Sequence, residues 1–454
     1  MSSLKKSVAQ VVVGLPVEGP FDYRVPEEWQ DRISVGQRVR VSFLNRSMVG
    51  FVVGLLAKSS FPQLKPILQI LDSSPVLDGK ALDLAQQFSQ HYGCSWGEAM
   101  EVALPSVLRQ KKLIEISMAA KKTSMSSGSQ SRITLCHDEG RSQRWVFLLE
   151  KIQAAWERGE DMIFLVPEKI LIHQAVKFLN QHLSASQKRE IAIFDKDAGP
   201  REELEEWIKV KEGKARLVVG TRSALFAPLA NLGLIIIYDE ENSAYKQEQS
   251  PAYHVHEVAQ MRSKLDQVEI IFVSSAPSAE VWSEVKDPSK QYVHFSEKKW
   301  APIQFIDLSY HKLQGRSFLS FPLQNAIQQA LTTHQKVVLF LNRKGFHTLI
   351  RCNQCEYVLK CSNCETNLSY FYDKKIAICP LCHHSQNPPK LCPGCHGNYL
   401  RYLGSGIEKI ESEMARVFPG VKVAKFDRDT KHIPAQADII VGTQAVLKAL
   451  DGFP

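Results

Sequence analysis

No stretch of this 454-residue chain is apolar for long enough to span a bilayer, which takes about 20 such residues. The longest apolar run, residues 232–237, is the length of a strand. The opening residues, MSSLKKSVAQ, lack the apolar core of a secretory signal. These two absences predict a cytoplasmic protein with no membrane partner. Cysteine is scarce outside one short segment: of ten, only Cys94 and Cys136 lie elsewhere, and both read as packed thiols. Without an export signal thiols stay reduced, so the remainder do not form a disulfide framework. Internal repeats are also lacking, which excludes a solenoid or a propeller. Strong charge of either sign is absent. The formal balance of +8 suits a nucleic-acid partner without requiring one.

What the chain does have is eight cysteines within residues 352–395, arranged as four CxxC pairs. They are Cys352 with Cys355, Cys361 with Cys364, Cys379 with Cys382, and Cys392 with Cys395. A CxxC turn folds its backbone amides around the sulfurs and points both thiolates at one centre. Two such turns close a tetrahedral site of the structural type, so four turns predict two Zn²⁺ ions. A nested pairing gives Cys352, Cys355, Cys392 and Cys395 to one ion and Cys361, Cys364, Cys379 and Cys382 to the other. A sequential pairing is the alternative. His383, His384 and His396 are spare ligands in a set whose thiol count is already complete.

Around this segment the pattern is α/β. Residues 1–72 read as short strands (VAQVVVGL, FDYRV, QRVRVSFL, MVGFVVGLL) broken by Gly and Pro, which predicts a small barrel or sandwich. A helical pattern covers 78–108, and the polar, Ser-rich stretch 111–131 reads as a linker. Apolar strands then alternate with amphipathic helices, the signature of a parallel sheet. A second run of this kind begins at 336, is interrupted by the cysteines and resumes after them.

Four features stand out: VVGTRSALFAPLANLGLII (218–236), YKQEQSPAYH (245–254), LVPEKILIHQ (165–174) and the placing of the cysteine module after LNRKGFHTLIRC (341–352). In these the chain resembles the primosomal protein N′ (PriA) family of replication-restart helicases. PFDYRVP (20–26), VGQRVRVSF (35–43) and LKPILQILD (64–72) are similar to the family's domain for the 3′ end of a nascent strand. The resemblance implies a β-rich 3′-end DNA-binding domain (1–110) and a first RecA-like helicase-type domain (132–310). It further implies a second such domain (311–351 and 396–454) holding the zinc insertion (352–395). Phe21 would stack on the terminal base, Asp22 would accept from the 3′-hydroxyl, Gly36 would let backbone approach, and Lys65 would contact the nucleotide. Arg222, Tyr245 and Lys246 would meet DNA from the α/β body, and Arg343 and Lys344 would be further phosphate partners; the alternative for all five is a solvated loop or strand end. The implied partners are branched or forked DNA with a 3′ end, other primosome proteins, the replicative helicase loader and single-stranded DNA-binding protein.

The nucleotide site departs from that family. A phosphate loop needs glycines, a Lys for the β/γ oxygens and Ser/Thr for Mg²⁺. At the equivalent place stands CHDEGRSQRW (136–145), with Asp138, Arg141 and Gln143 for glycines, Arg144 for the Lys and Trp145 for the Thr. Such a loop is not expected to take ATP with Mg²⁺ in the usual way. At the acidic motif, Tyr238 occupies the metal-linked Asp position, and Asp239, Glu240 and Glu241 follow one place late. The stretch 273–280 lacks the family's Thr, and Lys448-Ala449 stands for a Lys-Gly pair. The sequence therefore predicts a fork-DNA binder that recruits partners without ATP-driven unwinding. The alternative is an ATP-dependent 3′-to-5′ helicase with a divergent nucleotide site.

Overall fold

The computed structural model describes residues 7–110, 132–140, 142–195, 198–295, 301–307, 319–340, 348–371, 375–403, 407–426, 436–442 and 446. The linker 111–131, Arg141, Arg343, Lys344, the turn at 427–429 and the Lys448-Ala449 pair lie outside these residues. The chain divides into two compact units, residues 1–300 (with 453–454) and residues 301–452.

The first unit opens with strands β1 (Val8–Val13), β2 (Phe21–Arg24), β3 (Arg38–Phe43), β4 (Arg46–Leu56) and β5 (Gln69–Ile70). They form an antiparallel sheet in the order β2-β1-β4-β3-β5. Period-two alternation turns Val11, Val39, Val41 and Val52 into one apolar core with Tyr23, Ile33 and Ile67. The outer strands also meet. The Arg24 amide donates to the Lys65 carbonyl (2.9 Å) and the Ile67 amide to that of Arg24 (3.0 Å), so the sheet curls on itself. Buried Arg38 holds both carboxylate oxygens of buried Asp72 and donates to the Leu108 carbonyl, tying the sheet to the segment after it.

Two helices follow, α1 (Gly79–Tyr92) and α2 (Trp96–Ala103). Asp78 caps the first and a Ser95–Glu98 capping box starts the second. Their apolar faces share one core with the larger sheet: Phe88, Met100 and Leu104 cluster with Trp207, Leu225 and Val258.

That sheet has seven strands: β6 (Ile133–Asp138), β7 (Asp161–Leu165), β8 (Ile191–Phe194), β9 (Leu217–Gly220), β10 (Leu232–Tyr238), β13 (Glu269–Ser274) and β14 (Gln291–Phe295). Its order is β14-β6-β13-β10-β7-β9-β8, and every pairing is parallel. A short hairpin, β11 (Lys246–Gln247) with β12 (Tyr253–His254), stands apart from it. Helices α3 (Arg144–Glu157), α4 (Lys169–His182), α6 (Pro200–Lys211) and α7 (Val255–Asp266) cover its faces, with the shorter α5 (Ala185–Arg189) and α8 (Ala279–Glu284) between strands. Helices on both faces explain why β10 reads as an almost unbroken apolar run.

In the second unit, β15 (Val337–Phe340), β21 (Val423–Phe426) and β22 (Ile439–Gly442) make a parallel sheet in the order β15-β22-β21. The helices Phe321–Thr332 and Ile407–Val417 pack on it through Ile327, Ile410 and Met414 against Ile439 and Val441. The cysteines sit on an antiparallel sheet of β16 (Thr348–Cys352), β17 (Ser369–Phe371), β18 (Ile376–Ile378), β19 (Ser385–Gln386) and β20 (Leu400–Leu403). Fold class is as the sequence predicted. Among the described residues no helix is long and apolar enough to cross a membrane.

Candidate metal centres and nucleic-acid interface

Each CxxC pair builds the same turn. The residue after the second cysteine has a left-handed backbone: Glu356 (φ 63°), Glu365 (58°), His383 (58°) and His396 (56°). Its amide returns to the carbonyl of the first cysteine, as from Glu356 to Cys352 (3.0 Å) and from His396 to Cys392 (2.8 Å). The first cysteine's amide then reaches one residue further, from Cys352 to the Tyr357 carbonyl and from Cys379 to that of His384. Amides also point at sulfur, from Asn363 to Cys361 (3.4 Å) and from Gly394 to Cys392 (3.3 Å). This fourfold local repeat is invisible as sequence, because only the cysteines recur.

The pairing is nested. Cys352, Cys355, Cys392 and Cys395 form one cluster and Cys361, Cys364, Cys379 and Cys382 the other. Sulfurs lie 3.6 Å apart (Cys352–Cys395), 3.5 Å (Cys355–Cys392) and 3.3 Å (Cys364–Cys379). Metal–sulfur bonds of about 2.3 Å put tetrahedral ligands roughly 3.8 Å apart, so both clusters fit an ion and neither is a disulfide. His383 and His396 are spent on the left-handed position and join neither cluster.

The start of α3 is occupied by the protein itself. Asp138 is fully buried, and its carboxylate accepts from the amides of Gly140 (3.1 Å), Gln143 (2.8 Å) and Arg144 (2.8 Å). Amides at a helix start are what a bound phosphate ordinarily takes. From sequence Asp138 reads as a charge that repels phosphate; the fold makes it the anion seated there. Arg144 is also buried. It donates to the Tyr238 hydroxyl (2.6 Å) and to Asp239 (3.3 Å), with its guanidinium 4.5 Å from the Tyr238 ring centre. Trp145 packs between Tyr238 (5.0 Å) and Phe178 (4.6 Å). Gln143 precedes the helix on the exposed side.

The acidic run after β10 is tied inward as well. Asp239 takes a left-handed backbone (φ 50°), which lets its carboxylate face Arg144. Glu240 is buried and accepts from the Ser278 amide (2.7 Å) and hydroxyl (2.8 Å). Glu241 accepts from the Ser274 hydroxyl (2.7 Å), and burial pushes its carboxyl up to about 7. His256 lies against Glu240, 3.3 Å from its carboxylate and 3.0 Å from its carbonyl, and burial lowers its imidazole to about 4.

The expected DNA contacts fall into two groups. Phe21 and Asp22 on β2 lie beside the segment that carries exposed Lys65. The Phe21 ring leans on Phe43 (4.8 Å) while staying partly exposed. Asp22 accepts from Ser59 (2.5 Å) and Gln10 (3.5 Å). Gly36 has φ 88°, and a Cβ there would stand 2.0 Å from the Leu77 carbonyl, so the close approach it allows is by its own chain. In the α/β body, Lys246 is exposed, and Arg222 clamps the carbonyls of Ala244 (2.6 Å) and Lys246 (2.9 Å).

Tyr245 corrects the expectation of a DNA contact. It is fully buried, and its hydroxyl donates to the carbonyls of Tyr238 (2.6 Å) and Leu165 (3.1 Å). An aromatic with a polar tip is as well suited to pinning a loop to strand ends as to stacking on a base.

The family model described as a 3′ DNA-binding domain matches residues 10–105. Among curated relatives, the protein called replication restart protein PriA in Synechocystis is 35% identical over 65% of this chain and 38% of its own length. The one in Bacillus subtilis is 30% identical over 72% of this chain and 42% of its own. That of Chlamydia pneumoniae is 27% identical over 99% of this chain and 75% of its own. Against the first two, the chain thus spans about two fifths of the relative's length.

Proposed function

Because this chain belongs to the replication restart protein PriA family, we propose that it recognises branched DNA at a 3′ end and recruits replication partners, without an ATP-driven motor. The 3′-end reader would be the curled sheet, whose strand β2 carries Phe21 and Asp22 and lies beside the segment bearing Lys65. A ring that stacks on any base and a carboxylate that accepts from a 3′-hydroxyl recognise an end whatever its sequence. Lys65 and Lys246 would meet phosphates, Arg222 holding the loop that carries the second.

The observation that carries the motor-free reading is Asp138 on the amides that open α3. A triphosphate would have to expel a buried carboxylate and then meet Arg144 already committed to Tyr238 and Asp239. Trp145 and Tyr238 offer no oxygen ligand set for Mg²⁺ where the family's chemistry needs one.

Each four-cysteine cluster would hold Zn²⁺, since four thiolates at tetrahedral spacing suit that ion. Zinc then fixes the cysteine turns and adjoining loops that display Leu381, Leu391 and Tyr399 to solvent, a surface for the helicase loader or single-stranded DNA-binding protein.

Fluorescence anisotropy tests the DNA half, using a fork with a 3′ end at the branch against plain duplex. Phe21→Ala should weaken fork binding about 10-fold or more and leave duplex binding unchanged, since one stacked base is worth ~1–3 kcal/mol. Equal loss on both substrates would refute the end reader. ATP turnover tests the other half, and robust fork-stimulated hydrolysis would overturn it.

A further inference from the structure

A cluster outside both cysteine sites joins β6 to β14, the strand at the sheet's edge. The two strands pair in parallel with His137 opposite His294, which puts both imidazoles on one face with ring centres 4.9 Å apart. Parallel neighbours in register have no other choice, since the side-chain period is two. Just past the end of β6, the Glu139 carboxylate turns back to within 3.8 Å of His294 Nε2. One ligand atom from each of the three residues lies within 4.8 Å of the other two. None of this depends on the cysteine segment.

The surroundings are those of a ligand set rather than of an ordinary salt bridge. Tyr292, two residues before His294 on the same face, places its hydroxyl 2.9 Å from His137 Nδ1. The Ser275 backbone hydrogen-bonds the same ring. A metal at one nitrogen leaves the other for one of these partners, the outer contact that orients a ligating imidazole. Trp282 closes the apolar side, edge-on to His137 (6.2 Å) and to Tyr292 (5.4 Å). His137 is half-buried and His294 exposed, so an ion has a route in and room for water as a further ligand.

We propose that His137, Glu139 and His294 form a third metal site, for a first-row divalent cation such as Zn²⁺ or Co²⁺, which clips the edge strand to its neighbour. Two imidazoles and one carboxylate are a recurrent ligand set for these ions, with at least one position left open. Ligands about 2.0–2.2 Å from zinc stand roughly 3.3 Å apart, so the side chains close on the ion by about 1 Å.

Co²⁺ titrated into full-length protein with its cysteine sites already filled by zinc tests the proposal. One further equivalent should bind with visible bands of nitrogen and oxygen ligation and no thiolate charge-transfer band. His294→Ala, at an exposed position, should weaken that equivalent more than about 100-fold, and Tyr292→Phe, an outer partner, about 10-fold. The ion should also raise the melting temperature followed by tryptophan emission, and His294→Ala should abolish the rise. Absence of the extra equivalent overturns the site, as does an equivalent that persists unchanged in His294→Ala.

Discussion

The start of α3 and the cysteine module solve one problem in opposite ways. Both curl backbone amides around a negative centre. At α3 the centre is Asp138, a side chain of the same loop, and the arrangement is complete as the chain folds. In the cysteine module the centres are two sets of four sulfurs, each set within 4.8 Å, that balance only when a cation joins them. The lesson is that amides aimed at an anion do not by themselves mark a ligand site. What decides is whether the anion is already covalently present.

The contrast breaks most visibly if metal is removed. Thiolate-bound metal contributes ~10–16 kcal/mol to folding in small cysteine domains, so chelation or Cys355→Ser should open residues 348–403 to protease. All seven tryptophans lie at or before Trp300, so their emission should stay put while the module unfolds. A protease-resistant module after chelation would make it as self-sufficient as the α3 start.

The next test removes the internal anion. Asp138→Ala strands three amides, which should cost ~2–4 kcal/mol in urea unfolding followed by tryptophan emission. Added nucleotide should not restore the loss. Recovery by ATP with Mg²⁺ would mean that the site still takes phosphate.

A third test uses pH on the neighbouring acidic run. Glu241 titrates in the folded protein at about 7, above its unfolded value near 4.5, so its contribution is present below 4.5 and is lost as pH climbs to 7. His256 is lowered to about 4 from about 6.5, so stability from it grows as pH rises between those values. The two slopes oppose each other from about 4.5 to 6.5. Relative to the wild type, Glu241→Gln should tilt stability upward with pH in that window, and His256→Gln should tilt it downward. Melting curves at a series of pH values decide this, and parallel curves for both variants would refute the opposition. Smallest of all, Tyr238→Phe removes one hydroxyl from Arg144 and should cost about 1 kcal/mol.

Much of this was legible in the residues. Periodicity carried the parallel sheet and the curled N-terminal sheet, since both rest on side chains facing one core. The four CxxC pairs announced two ions, and the nested pairing followed from the way β16 and β20 bring the outer turns together. The substitutions at 138, 144, 145 and 238 were each visible, yet that they form one packed cluster was not, because it depends on residues 94 apart in sequence. Tyr245 misled for a related reason: its ring chemistry suits a base or a buried carbonyl equally, and only the path of β10 chooses. His137 and His294 offered no signal at all, being separate until β6 and β14 pair.

The closure of the N-terminal sheet at Arg24 and Lys65 bears on how that part of the molecule can meet others. With those two margins laced together, an incoming extended chain finds few unpaired amides there to template a new strand. Fibrillar stacking and strand exchange are thereby discouraged at that seam, and recognition falls to rings and charges on its rim.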